Sequence, residues 1–120
     1  APSSAPALEG RAALRQGRTE EAVELLTRAL EQPGAQRSDM LGRAAALVDL
    51  AAALRESGEL SEAGDRAREA VGLWPRLEEA FLEEARILEA AGEVAKAAEA
   101  LQRLLTMRPA QERAAARLLA

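Results

Sequence analysis

The 120-residue chain contains no cysteine, histidine, tyrosine or asparagine. Without thiol or imidazole it can build no disulfide, thiolate metal site, imidazole base or Ser-His-Asp triad. Aromatic residues amount to one tryptophan and one phenylalanine, and valine, isoleucine and threonine together supply only eight residues. That is too few for the branched and aromatic surfaces of a β-sheet, so a sheet-based fold is all but excluded. No apolar run approaches the roughly 18 residues that cross a bilayer, so no transmembrane helix is expected. A charged start followed by an apolar core is also missing, so no signal peptide is expected either. Ala1 to Ala5 read as a linker or disordered end. Basic residues number 16 against 20 acidic ones, giving a net charge of −4, which argues against general nucleic-acid binding. A soluble chain of cytoplasm or periplasm is expected, and the missing cysteine does not choose between the two.

What the chain does have is alanine, 30 residues of it, and leucine, 19 residues. Their order repeats. Glu56-Ser57-Gly58-Glu59-Leu60-Ser61-Glu62-Ala63 matches Ala90-Ala91-Gly92-Glu93-Val94-Ala95-Lys96-Ala97, with Gly58 and Gly92 in register. The interval between those glycines also separates Leu54 from Leu88, Ala51 from Ala85 and Pro75 from Pro109. An earlier copy is Gln16-Gly17-Arg18-Thr19-Glu20-Glu21-Ala22. Its Gly17 precedes Gly58 by the same interval lengthened by about two helical turns.

Each glycine sits between two helical patterns and suits the left-handed closure of a helix. Thr19 and Ser61 follow as candidate caps through their hydroxyls, and Glu20, Glu21 and Glu62 suit the positive end of the next helix dipole. Proline at 75 and 109 ends each second helix by denying the backbone a donor. The patterns predict helices over about 6–16, 19–32, 39–57, 60–73, 77–91 and 94–107, with a last one from about 110. The insertion around Gly34 to Met40 either lengthens the third helix from a Ser38 cap or lies in the loop, and the longer helix is preferred because Asp39 to Ser57 is interrupted only by Gly42. Ala22, Ala63 and Ala97 form one column and Ala51 and Ala85 another, both where the helices of a hairpin should touch. Leu47, Leu50, Leu54, Phe81 and Leu88 recur at three-to-four spacing and should fill the core.

The second copy carries Leu47-x2-Leu50-Ala51-x2-Leu54, Ala63-x3-Ala67, Ala70 and Pro75, and the third Phe81-x2-Glu84-Ala85-x2-Leu88, Ala97-x3-Leu101, Leu104 and Pro109. The first keeps Gly10, Gly17, Ala22-x3-Leu26 and Ala29, with Pro6 and Glu9 at apolar columns. These residues resemble the tetratricopeptide repeat (TPR) pattern. The resemblance implies an all-α, right-handed α-solenoid of three TPR-like hairpins plus a C-terminal helix. It would form a single domain over 6–120, with repeats at about 6–34, 44–77 and 78–110 and the terminal helix at 111–120. Glu84 and Leu104 depart from the pattern and should make the third repeat pack less regularly.

The resemblance further implies a protein–protein interaction module, a scaffold or adaptor without catalytic residues, metal or cofactor. The first helix of each hairpin would line a concave groove. Carried over column by column, that groove takes Arg11, Leu14 and Arg15 from the first copy and Val48, Ala52, Arg55 and Glu56 from the second. Glu79, Leu82, Arg86, Glu89 and Ala90 come from the third, and Arg113 and Ala116 from the last helix. Five arginines against three glutamates make this face basic on an acidic chain, which suits an acidic or amphipathic partner segment. One subset of the family grips C-terminal carboxylates with lysine and asparagine; this chain has no asparagine and only Lys96, which does not fit that clamp. Glu78, Glu79, Glu83 and Glu84 read as a solvated acidic face, and Trp74 as packed over a hairpin end or the next repeat. A structural role is the alternative: self-association through the terminal helices, or stacking within a longer repeat protein, where Ala114, Ala115, Leu118 and Leu119 supply apolar surface.

Overall fold

Three glycines decide where the chain reverses. In the computed structural model, which describes residues 5–32 and 40–107, Gly17, Gly58 and Gly92 have φ of +79°, +84° and +82°. Each closes a helix in the same way. The amide of Gly17 donates to Leu14 O at 3.1 Å and that of Arg18 to Ala13 O at 2.8 Å. Gly58 and Glu59 donate likewise to Arg55 and Leu54, and Gly92 and Glu93 to Glu89 and Leu88. This Schellman closure needs the left-handed backbone that glycine adopts without strain. The residue after the glycine begins the next helix directly: the carbonyls of Arg18, Glu59 and Glu93 accept from the amides of Ala22, Ala63 and Ala97.

Six helices result among the described residues: α1 (Ala5–Arg15), α2 (Thr19–Glu31), α3 (Met40–Glu56), α4 (Leu60–Leu73), α5 (Glu78–Ala90) and α6 (Val94–Met107). They agree with the expected helices to within a residue at each end. The expected caps do not form. Thr19 and Ser61 lie inside their helices, the N-cap positions belong to Arg18 and Glu59, and neither makes a side-chain cap. The hydroxyls fall past the cap, Thr19 by one residue and Ser61 by two, because the residue after each glycine serves both helices. Pro6 sits in the first turn of α1, where the missing donor is harmless. Helices α2 and α4 end before proline, Gln32 being extended and Trp74 leaving the helix with φ −142°, as steric pressure from the following ring demands, whereas Pro109 lies outside the described residues. The longer third helix is present from Met40, running through Gly42, whereas the Ser38 cap and the helix expected from about 110 lie outside the described residues.

Consecutive helices pair as α1–α2, α3–α4 and α5–α6, and the pairs stack so that α3 touches α1, α2, α4 and α5. Surrounded in this way, α3 buries Ala44, Ala46, Leu47, Val48, Leu50, Ala51, Ala53 and Leu54, nearly its whole circumference. The alanine columns occupy the hairpin contacts as expected: Ala22, Ala51, Ala63, Ala85 and Ala97 are all buried. One core cluster joins Ala13, Leu26, Leu50, Leu54 and Ile87, and a second joins Leu47, Val48, Ala70 and Ala80. Arg43 donates to Leu30 O at 2.9 Å and satisfies a carbonyl at the end of α2. The radius of gyration, 15.5 Å, exceeds the roughly 13 Å of a compact globule of about 100 residues. The core therefore runs along a stack of hairpins.

Two glycine substitutions should have opposite signs. A Cβ at Gly58 would meet nothing within 4 Å, so Gly58→Ala tests the backbone alone and should destabilise by about 1–2 kcal/mol. Gly72 is also open, but it is helical and has no positive φ. Gly72→Ala should stabilise by about 0.5–1 kcal/mol. Urea midpoints of both variants, measured against the parent, check the pair; a shift of the same sign in both would contradict this account of the turn.

Candidate functional site

Helices α1, α3 and α5 carry the residues expected to line a binding face, and ion pairs tie these helices to one another. Arg11 Nε donates to Asp49 Oδ2 at 3.1 Å, joining α1 to α3. Between α3 and α5, Arg55 Nε donates to Glu83 Oε2 at 2.5 Å and Arg55 Nη2 to Glu83 Oε1 at 3.4 Å. Arg86, one turn along α5, places Nη1 3.6 Å from the same Oε1. Glu83 is only 1% exposed. Its position corrects the reading of Glu78 to Glu84 as one solvated acidic face. Glu83 is a buried carboxylate held by an arginine from the preceding hairpin, whereas Glu79 is exposed.

The other expected residues divide. Leu14 packs half-buried on the first core cluster, and Ala52 and Leu82 are half-buried. Arg15, Glu56, Glu79, Glu89 and Ala90 are exposed, whereas Arg113 and Ala116 lie outside the described residues. Val48 departs from expectation. It is 8% exposed and belongs to the second core cluster, because α3 has helices on nearly every side at that level. It therefore offers no apolar anchor, and among the aliphatics Leu14 and Leu82 remain.

Asp49 and Glu83, the acidic partners of these ion pairs, are the positions missed in the sequence. A signal for them existed, since the interval from Asp49 to Glu83 is the one that relates Gly58 to Gly92. Counting both cancels the two-charge excess of the expected face.

Electrostatics follow the burial. Desolvation pushes the Asp49 carboxyl above its ordinary value, against the attraction and hydrogen bond of Arg11 and the nearby charge of Arg15. The hydrogen bond to Glu83 raises the Arg55 guanidinium, which partial burial opposes and the charges of Glu83 and Glu56 assist. A carboxyl with a raised pKa holds more protons folded than unfolded. Stability therefore falls as pH rises from the unfolded value, about 3.9, through the folded one. Asp49→Asn removes that slope, so its stability relative to the parent should increase as pH rises from about 4 into the neutral range. Urea titrations across that range measure it; a difference that stays constant with pH would show that Asp49 titrates as it does in the free chain.

Glu84 stands in the column that Leu50 fills in the preceding hairpin. A cleft of about 290 Å³ lies between α4, α5 and α6, with Arg68, Glu84, Leu88 and Arg103 in its walls. Glu84 Oε1 is buried without a hydrogen bond, and Arg103 Nη1 stands 3.6 Å away. Leu104, the other departure from the pattern, is buried nonetheless. Trp74, expected to be covered, keeps 39% exposure because its extended backbone swings it off the end of α4. Phe81 is core, as expected. Along α6, Val94, Ala98, Leu101 and Leu105 form an exposed apolar stripe, with Val94 and Leu105 at 68% and 65%. No helix of the described residues is long and apolar enough to cross a membrane.

Comparison with curated proteins finds no match for the chain. Two patterns described as tetratricopeptide repeat match it, one over residues 8–78 and the other over 79–110. Such repeats are in general non-catalytic modules of protein–protein interaction. The matches cover most of the sequence and fall on the same helical pairs, turn glycines and alanine columns, so the chain belongs to the tetratricopeptide repeat family.

Proposed function

We propose that this chain is a scaffold or adaptor module whose α1–α3–α5 face receives an amphipathic segment of a protein partner, with acidic side chains of that segment meeting its arginines. The observation that carries the reading is unspent donor capacity beside aliphatic surface. A guanidinium has five N–H groups, and Arg55 places only two nitrogens on Glu83. The Arg86 side chain is 53% exposed, Arg15 is exposed as well, and Leu14 and Leu82 lie along the same helices. Charge-assisted bonds from such groups favour carboxylates, and half-buried aliphatics favour an apolar stripe.

Arg55 is the wrong residue to reverse in a test, because its loss strands Glu83. Arg15→Ala with Arg86→Ala is the better probe. Calorimetry with an acetylated, amidated ten-residue peptide of leucine and glutamate should show binding weakened about tenfold or more in the double variant. Hydrogen bonds to charged groups contribute about 1.5–3 kcal/mol, and about 1.4 kcal/mol is a factor of ten. Equal binding, with circular dichroism unchanged, would remove these arginines from the partner surface.

Self-association is the second reading, and the bare stripe on α6 favours it, since apolar side chains at 94, 98, 101 and 105 share one helical face. Sedimentation equilibrium of the whole chain decides: a molar mass that rises with concentration supports it, and a monomer at all concentrations disposes of it.

A further inference from the structure

We infer that Arg55, Glu83 and Arg86 act as one receptor for a single carboxylate of the partner, in which Glu83 is the positioning residue that sets the two arginines side by side. The inference rests on the α1–α3–α5 face being the partner surface. Its starting point is a shared atom. Arg55 Nη2 lies 3.4 Å and Arg86 Nη1 3.6 Å from the same Glu83 Oε1, although the two arginines come from different hairpins. Neither nitrogen can then stand further from the other than those two distances laid end to end. A carboxylate that accepts at about 2.8 Å through each of its two oxygens spans such a gap.

Charge sets the stoichiometry. Two guanidiniums and one buried carboxylate leave the group at +1, which one monovalent anion neutralises. Geometry supplies the pre-organisation. An unrestrained arginine has rotamer freedom to lose on binding. Glu83, fixed in the core at 1% exposure, already restrains Arg55 by two contacts and draws Arg86 to the same point. The acid next to Arg55 in sequence does not close the site on itself: Thr19 Oγ1 donates to Glu56 Oε1 at 3.4 Å, which directs that carboxylate toward the turn after α1.

Position and charge make opposite predictions for Glu83→Gln, and this renders the inference testable. Removing a negative charge should tighten an anion if Glu83 acts only through its field. If Glu83 positions the arginines, the anion should weaken. The probe is the acetylated, amidated leucine–glutamate decapeptide, compared by calorimetry with its leucine–glutamine counterpart and with a leucine–glutamine peptide carrying a free C-terminal carboxylate. The parent chain should prefer the glutamate peptide over the glutamine one by tenfold or more, and Glu83→Gln should reduce that preference to twofold or less. General loosening of the fold would weaken both peptides alike and leave the ratio intact, which counts against the positioning role. Recovery of the preference by the free C-terminus alone would overturn a side-chain carboxylate as the ligand and identify a chain end in its place.

Arg86→Ala, which leaves the Arg55–Glu83 pair in place, should abolish the preference too, and Glu83→Asp, which keeps the charge but draws the carboxylate back from both arginines, should reduce it to twofold or less if Glu83→Gln fails to fold. Retained or increased preference in Glu83→Gln overturns the positioning role while leaving the partner face standing. Indifference of all peptides to Arg15→Ala with Arg86→Ala overturns the face itself. Absence of any preference in the parent chain overturns the receptor.

Discussion

Arg55→Met is expected to lower the stability of the chain by about 3–5 kcal/mol, the usual effect of removing one partner of a buried ion pair. Glu83 is the reason. Its carboxylate is 1% exposed and takes both close hydrogen bonds from Arg55, at 2.5 and 3.4 Å. Arg86 cannot replace them, because it approaches only to 3.6 Å and its side chain is half in solvent. With Arg55 gone, Glu83 loses both hydrogen bonds and keeps only the 3.6 Å approach of Arg86, so it must ionise poorly compensated in the core or take up a proton, and either alternative opposes folding. The remedy is to remove the second charge as well. Arg55→Met with Glu83→Leu should recover most of the loss, since apolar replacement of a buried pair is often neutral or stabilising. A urea denaturation cycle over the two single variants and the double one reads the coupling directly. A loss below about 1 kcal/mol for Arg55→Met would put the pair in the class of exposed ion pairs and deny it a part in joining α3 to α5.

This pair also marks the boundary of what the residue pattern made legible. Turns at Gly17, Gly58 and Gly92 were readable because only glycine closes a helix cheaply at a φ this positive, and because the interval between copies recurs. The end at Trp74 was readable from the proline that follows it. Both signals are local. The failures depend on partners distant in the chain. Glu83 sits in a run of acids that reads as solvated, and its burial requires Arg55, on a different hairpin. Val48 was placed on an open face by column, yet α3 touches four other helices and leaves little of its surface bare. At Thr19 and Ser61 the error was one of counting: the residue after each glycine ends one helix and begins the next, so the cap position falls on Arg18 and Glu59, ahead of both hydroxyls. Partner recognition sits at the same boundary. Which arginines lie on these helices is written in the columns, whereas which of them are already engaged is decided by contacts between hairpins.

The contact between α1 and α2 makes the second large prediction. An added Cβ on Gly10 would lie 2.6 Å from Leu26 Cγ and 2.9 Å from Cδ2, and Leu26 is fully buried with no room to retreat. Gly10→Ala should therefore destabilise by about 1–3 kcal/mol through overpacking, even though alanine is the better helix former by about 1 kcal/mol. Leu26→Ala should destabilise by about 2–5 kcal/mol through the cavity it opens. Combined, the two should not add. Once Leu26 is shortened, the new Cβ meets the backbone nitrogen of residue 26 at 3.3 Å, tight but tolerable. Alanine at position 10 then brings its helix propensity without the clash, so Gly10→Ala should be neutral or stabilising in the Leu26→Ala background. That reversal of sign, read from a denaturation cycle, is the diagnostic result; an equal penalty in both backgrounds would mean that α1 does not rest on α2 at this register. The consequence reaches the binding face. Arg11 follows Gly10 directly and must meet Asp49 across to α3 at 3.1 Å, so a methyl group that lifts α1 off α2 also moves the arginines that α1 presents. Loss of the Arg11–Asp49 bond in Gly10→Ala, and its return in the double variant, should show as a change and return of the Asp49-dependent pH slope.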